Sequence, residues 1–304
     1  MSVHSDSATL VIQEQFKIRS FNLARSLEND GSKAFEYLYP LMTRLPLPLS
    51  PMLLKEVSKK LDAEVLLGRL KYQRREQYDN KTIYIEPMSK PSLKASDNME
   101  LTPLRERAQS FIKGTAKVLL ILGNSGSGKS IFNRRLEFEL WEKYKPQDPI
   151  PLFIDLKTIT NEKDMIKEHL DRLDVFSGEQ ITELRDTRQF ILICDGYDER
   201  RSLSNLYVKN MINQPNQWKA CMVISCRSQY LGSDYRVFFE PYANDIYNNR
   251  PSNISDLFEE AVITPFKPKE IREYVDQYIA SLETKNPVCW TTDQYMEAMN
   301  EVPK

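Results

Sequence analysis

Eight residues, Gly123-Asn-Ser-Gly-Ser-Gly-Lys-Ser130, fit the spacing G-x-x-x-x-G-K-[ST], and their flanks leave little freedom in how they fold. Ahead of them, Lys117-Val-Leu-Leu-Ile-Leu122 is a short apolar run of the kind that forms a buried strand. Behind them, apolar side chains stand at 131, 132, 136, 138, 140 and 141, which is helical spacing. Strand, glycine loop and helix N-terminus together make an anion site, because backbone N–H groups converge there and the helix dipole favours negative charge. Three of the nine glycines, Gly123, Gly126 and Gly128, fall within these eight residues and let the backbone turn its N–H groups toward phosphate oxygens. Lys129 has the reach for β- and γ-phosphates, and the Ser130 hydroxyl suits Mg²⁺. Asn124, Ser125, Ser127 and the first-turn residue Ile131 complete the candidate phosphate-binding set. These residues imply a site for a nucleoside triphosphate.

From 117 to about 265, short apolar runs alternate with helical stretches, which is the mark of a parallel sheet. Strands are expected at 117–122, 150–155, 189–194, 220–225 and 259–263. The fold class is therefore α/β: a phosphate-loop NTPase sheet flanked by helices over 102–265. Residues 1–79 read as a mostly helical N-terminal region, with a frayed start and a break at Leu45-Pro-Leu-Pro-Leu-Ser-Pro51. Leu54, Val57, Leu61, Val65 and Leu70 recur at helical spacing beyond that break. Residues 80–101, with Pro87 and Pro91, read as an extended linker, and Thr102 as the cap of a helix running to Ile112. Lys267–Leu282 predicts a helix with Ile271, Tyr274, Val275 and Tyr278 on one face, so 266–304 reads as the start of a helical subdomain. Residues 228–257 lack periodicity and exceed the usual length of a connection.

Two further segments carry chemistry. Phe190-Ile-Leu-Ile-Cys-Asp-Gly-Tyr-Asp-Glu199 is an apolar strand ending in Asp195, which is expected beside the phosphate loop as a holder of the Mg²⁺ shell. Asp198 and Glu199 follow within one turn, and one of them can orient or deprotonate a water; equally, acids favour the start of a helix. Ala220-Cys-Met-Val-Ile-Ser-Cys-Arg227 ends another strand at the same sheet edge, where ligands of such sheets bind. Arg227 could meet a γ-phosphate or pair with Asp198 and Glu199, and the two roles can alternate.

The loop Gly123–Ser130, the segment Leu192-Ile-Cys-Asp-Gly-Tyr-Asp-Glu199, the strand Val223-Ile-Ser-Cys-Arg227 and the pair Ile263-Thr-Pro-Phe266 and Ile271-Arg-Glu-Tyr274 together resemble the NACHT family of signal-transducing ATPases, over roughly 115–300. That resemblance implies ATP or ADP as ligand with Mg²⁺. Lys129 and Ser130 would meet phosphate and metal, and Asp195 the metal. Asp198 or Glu199 would serve hydrolysis, and Arg227 phosphate sensing. Tyr84-Ile85 resembles the segment that contacts adenine in relatives. Cys226 departs from the small hydroxyl residue usual before the arginine. Trp290–Lys304 resembles the opening of a helical subdomain, and neither His4 nor His169 stands where the family's later histidine contacts ADP, so a fragment or a truncated member is expected.

The function classes separate on these residues. A small-molecule kinase would not need the acids after Asp195, and no arginine-rich lid is evident. A GTPase would need glycine at 198, where Asp stands, and an N-K-x-D base reader, which the chain lacks. An ATP-driven switch with slow turnover and a nucleotide-binding scaffold without turnover both remain open. With 42 basic against 43 acidic side chains, no electrostatic footprint for nucleic acid or membrane is present. No apolar stretch approaches a membrane span of about 18 residues, and the first residues lack the basic flank and apolar core of a secretion signal. Cys194, Cys221, Cys226 and Cys289 show no C-x-x-C spacing, so a reducing cytoplasm is expected. Protein partners are expected through the N-terminal helical region or by self-association.

Overall fold

A computed structural model describes residues 63–78, 82–96, 99–200, 204–241, 254–283 and 290–301. The expectations for residues before 63, for 242–253 and for Cys289 lie outside the described residues. Seven strands form one sheet: β1 (Met88–Lys90), β2 (Thr102–Pro103), β3 (Val118–Gly123), β4 (Ile150–Asp155), β5 (Gln189–Asp195), β6 (Lys219–Arg227) and β7 (Phe258–Ile263). Their order is β2-β1-β7-β3-β6-β5-β4. The five strands β7 to β4 are parallel, whereas β1 runs antiparallel to both β7 and β2.

The parallel strands are apolar on both sides because helices cover both faces. In β3, Val118, Leu120 and Leu122 face one core and Leu119 and Ile121 the other, all with no exposure. The first core takes in α1 (Ala63–Gln77), α4 (Met165–Arg172), α5 (Gly178–Thr187) and the short α6 (Leu206–Lys209). The second is closed by α2 (Leu104–Lys113) through Leu104, Ala108 and Phe111, and by α3 (Lys129–Lys143) through Phe132 and Leu136. α5 begins with a full capping box, in which Ser177 and Gln180 satisfy each other's backbone N–H. Beyond the sheet, α7 (Pro268–Glu283) and α8 (Thr292–Glu301) pack on each other, with Tyr278 and Trp290 both against the ring of Tyr295.

All five expected parallel strands are present, within two residues at either end. Three local expectations differ. Residues 88–90, in the segment read as extended linker, are hydrogen-bonded into the sheet edge. Thr102 does not cap a helix, because strand pairing with Ser89 claims it; the helix starts at Leu104, and the Glu86 carboxylate accepts the Arg105 N–H at 2.8 Å in its place. The apolar face expected on α7 is split: Val275 and Ile279 are buried, while Tyr274 and Tyr278 are exposed. Among the described residues no helix is long and apolar enough to cross a membrane.

Candidate functional site

The strand order decides which side chains meet. β6 lies between β3 and β5, so Asp195 stands one strand away from the strand that leads into the phosphate loop. In register, Gly123 faces Arg227 and Leu122 faces Cys226, which sets the arginine directly across from the start of the loop. All three strand ends open on one edge of the sheet.

Within the loop the glycines serve two different needs. Gly126 and Gly128 have φ of 75° and 87°, the left-handed region that side chains avoid. Gly123 is favoured by space, since a Cβ there would stand 2.5 Å from Ser127 Oγ, which would have to turn away. Gly128 is the N-cap of α3, and its carbonyl accepts the Phe132 N–H at 2.9 Å. The preceding N–H groups of that first turn have no intrahelical acceptor, which is what makes a helix start attractive to anions. Lys129 Nζ folds back on the loop, donating to the carbonyls of Gly123 and Asn124 at 2.8 Å each and to Ser127 Oγ at 3.3 Å. Burial lowers the Lys129 pKa, and nearby Asp198 works against that. Ser130 and Ile131 are exposed at the same turn.

Asp195 is held at one oxygen. Its Oδ1 accepts from Asn133 Nδ2 at 2.7 Å and from Ser225 Oγ at 2.6 Å, and Ser225 Oγ in turn accepts the Gly196 N–H at 3.2 Å. Asp195 Oδ2 has no hydrogen-bond partner among the described residues. The free Asp195 oxygen and the Ser130 hydroxyl, exposed in the first turn of α3, are oxygen donors of the kind Mg²⁺ takes. No group of three or more His, Cys, Asp or Glu able to hold a metal occurs among the described residues. A cation here would thus rely on phosphate and water for its other ligands, as Mg²⁺ commonly does.

Asp198 and Glu199 sit in a 3₁₀ turn, Tyr197–Glu199, entered through Gly196 at φ 76°. Both pair with Arg227, but unequally. Asp198, 3% exposed, accepts the Arg227 N–H at 2.9 Å on Oδ1 and meets Arg227 Nε at 3.1 Å with Oδ2. Glu199, 43% exposed, meets the far end of the guanidinium at 3.2 Å through Oε1 only. Asp198 is thereby spent on holding the arginine, and Glu199 keeps an oxygen for other work. Cys226 is buried and its thiol is pushed up to about 12, first by burial and then by Asp198, so it stands as a neutral packing group.

Beside the loop lies a cavity of about 560 Å³, bounded by the loop residues Asn124–Gly128 and by an apolar wall that includes Ile83, Tyr84, Pro87, Ile131, Phe266 and Tyr274. Ligand pockets have this character, mostly apolar with a few polar groups at one end. Tyr84 is fixed by donating its hydroxyl to Glu86 Oε2 at 2.8 Å, and Arg105 and Arg135 both lie within 6 Å of its ring centre. Burial, with Glu86 adding to it, raises the Tyr84 pKa, so the phenol stays protonated.

The profile of the NACHT domain matches residues 117–281, more than half of the sequence. The chain belongs to the NACHT domain family. Nucleotide binding by a phosphate-loop NTPase follows from that membership. No curated protein matches the chain. Among solved structures, the cytoplasmic domain of the Thermomonospora curvata type VII secretion ATPase EccC is similar at 15% identity and a TM-score of 0.26, over 50% of this chain and 20% of that one. C. elegans PCH-2 is similar at 10% identity and a TM-score of 0.36, over 79% of this chain and 52% of that one.

The NACHT domain therefore brings together the loop Gly123–Ser130, Asp195, Asp198, Glu199 and Arg227 at one sheet edge, and Tyr84, ahead of the matched residues, lines the adjoining cavity. Sequence reasoning missed Asn133, Ser225 and Glu86 as the residues that hold Asp195 and Tyr84. It also left Phe266 and Tyr274 without a place at the cavity. A signal for Asn133 existed. Lys129, Asn133 and Glu137 follow at i, i+4, i+8, a polar stripe on a helix whose Asn133 and Glu137 are buried.

Proposed function

We propose that this chain is an ATP-binding switch that hydrolyses ATP slowly to ADP and phosphate with Mg²⁺, its nucleotide state controlling contacts with protein partners. The observation that carries this reading is the ion pairing of Arg227 with both Asp198 and Glu199, in register with the first residue of the phosphate loop. A γ-phosphate at the loop would compete for that guanidinium. Glu199, the more exposed and more weakly held partner, would be released to align a water, while Asp198 keeps the arginine's backbone and Nε in place. Lys129 would exchange its two loop carbonyls for phosphate oxygens. Bound Mg²⁺, held by Ser130 and Asp195, would neutralise charge developing on the phosphate oxygens.

The base would enter the cavity beside Tyr84, whose wall is apolar. Adenine suits it better than guanine, for which the chain has no N-K-x-D reader. Slow turnover is expected because Glu199 shares its charge with Arg227 for as long as the pair persists. Buried, unpaired Cys194 and Cys226 suit a reducing cytosol.

One observation favours a second reading. Both oxygens of Asp198 are occupied by Arg227, so a scaffold that binds nucleotide without turning it over needs only that Glu199 stay paired. The experiment that separates the readings is a multiple-turnover phosphate-release assay on wild type and Glu199→Gln, after measuring nucleotide retained by gently purified protein. Slow release abolished by the substitution, with retention unchanged and lost only in Lys129→Ala, supports the switch. Retention without release in wild type leaves the scaffold.

A further inference from the structure

We propose that Asn133 is a positioning residue for Asp195, setting the affinity of the site for a divalent cation while leaving nucleotide affinity itself untouched. The inference rests on the reading of Asp195 and Ser130 as metal ligands.

Asn133 lies one turn beyond Lys129 on α3 and has no exposure. Its amide nitrogen donates to Asp195 Oδ1 at 2.7 Å, and its amide oxygen is buried without a hydrogen-bond partner among the described residues. That combination is informative. A buried unpartnered carbonyl is unfavourable, and a leucine of similar shape would avoid it. Turning the amide round would aim an oxygen at the carboxylate oxygen, so the donor orientation is the only acceptable one. What the asparagine supplies that an apolar residue cannot is this single N–H.

Its effect follows from the second donor. Ser225 Oγ reaches the same Asp195 oxygen from β6 at 2.6 Å, and is itself fixed by the Gly196 N–H. A carboxylate held by one donor can pivot about that contact. Two donors on that one oxygen, from a helix and from a neighbouring strand, fix its place and narrow the swing of the other oxygen. The charge on Oδ2 is then presented over a narrower range of directions before any cation arrives, and the ordering cost of binding falls. The one side-chain hydrogen bond of Asn133 among the described residues goes to Asp195 and none goes to the loop residues that would meet phosphate. Its loss should therefore separate metal from nucleotide.

The test uses the full chain, Mn²⁺ as the probe and Asn133→Leu as the variant. Mn²⁺ affinity is measured by electron paramagnetic resonance at saturating ATP, and metal-free ATP affinity by calorimetry in EDTA. N133L is expected to bind Mn²⁺ about 10- to 100-fold more weakly, the usual consequence of losing an outer-shell partner of a metal ligand. Metal-free ATP affinity and the ligand-free melting temperature should stay at wild-type values. Should N133L fail to fold, Asn133→Ala is read in the same way. Equal Mn²⁺ affinity in variant and wild type overturns the proposal alone. So does a parallel fall in metal-free ATP affinity, which marks a merely structural role. A wild-type chain that binds no ATP with or without Mn²⁺ overturns both this proposal and the switch reading.

Discussion

Replacing Gly123 by alanine tests whether the loop is held by space rather than by backbone conformation alone. The new Cβ would lie 2.5 Å from Ser127 Oγ and 3.3 Å from both Ser127 Cβ and Ile263 Cβ. The first contact is far inside van der Waals distance, so Ser127 must move, and it takes with it an acceptor of Lys129 Nζ. Overpacking of this kind costs about 1–3 kcal/mol. About 2 kcal/mol expressed at the loop corresponds to roughly 30-fold weaker nucleotide binding. Ser127→Ala removes the clashing oxygen at the expense of one long hydrogen bond, so alone it should cost less than about 1 kcal/mol. The double variant should therefore bind better than the sum of the single effects predicts, by about 1 kcal/mol or more. Gly126→Ala is the control. A Cβ there meets nothing within 4 Å but must adopt φ 75°, a penalty that Ser127→Ala cannot relieve. Calorimetric ATP affinities of the four loop variants, with melting temperatures alongside, close the cycle. Additivity of G123A and S127A within about 0.5 kcal/mol would refute the steric argument.

Three further outcomes are expected. Glu199→Gln should lower turnover by about 100-fold or more with ATP affinity kept, whereas Asp198→Asn should loosen Arg227 and weaken ATP binding as well; single-turnover and equilibrium assays separate them. His169 is held near pKa 3 by burial, with Arg74 and Arg172 adding to it, so the unfolded chain binds this proton first and stability falls as pH drops from about 6.5 toward 3. The upper limit of that loss is about 5 kcal/mol, and His169→Leu should flatten this part of the pH–stability curve in denaturant titrations; an unchanged slope would remove His169 from the account. Glu86→Ala frees the Arg105 N–H and the Tyr84 hydroxyl together, and should cost about 1–3 kcal/mol in thermal unfolding while enlarging the adjoining cavity.

Much of the parallel sheet could be read from the sequence because its strands are buried on both faces, and burial on both faces writes an uninterrupted apolar run. Val118–Leu122 and Phe190–Cys194 are such runs. The edge could not be read this way. β1 and β2 have three and two residues, too few for any periodicity, and β1 joins the sheet through β7, which lies more than 150 residues away. Thr102 illustrates the competition. As an isolated residue before an apolar stretch it has the chemistry of a cap, and only the presence of Ser89 across the ladder turns it into a strand residue. The strand order was likewise out of reach. Nothing in an alternating pattern says that β6 enters between β3 and β5, yet that insertion brings Ser225 to Asp195 and Arg227 to Gly123. The loop, Asp195 and Arg227 were legible because their chemistry is local to a strand end. Ser225 and Glu86 were not, because each acts on another functional residue across tertiary space, and the helical stripe that marks Asn133 does not say that its partner is Asp195.

The described arrangement has a common logic at its two candidate phosphate-facing cations. Lys129 is satisfied by carbonyls of its own loop, and Arg227 by the two acids that follow β5. Each cation is thus pre-paired with a group that the proposed reaction needs elsewhere: the loop backbone must turn its N–H groups to phosphate, and Glu199 must turn to water. On the switch reading, a triphosphate is favoured over these internal partners only by the difference between the two sets of contacts, and that difference is the free energy available to move anything else. The two exchanges are not equal. Lys129 gives up neutral dipoles and gains charge, which ADP can supply through its β-phosphate. Arg227 gives up a carboxylate that stays near it, so only a γ-phosphate offers it a better partner. The arginine pair, rather than the lysine, is then the element that distinguishes ATP from ADP. Arg227→Lys, which keeps the charge but loses the fork that spans Asp198 and Glu199, should accordingly reduce the ratio of ATP to ADP affinity toward one while leaving ADP affinity within about twofold. Calorimetric titrations with both nucleotides decide it, and an unchanged ratio would move the discrimination to Lys129 and the loop.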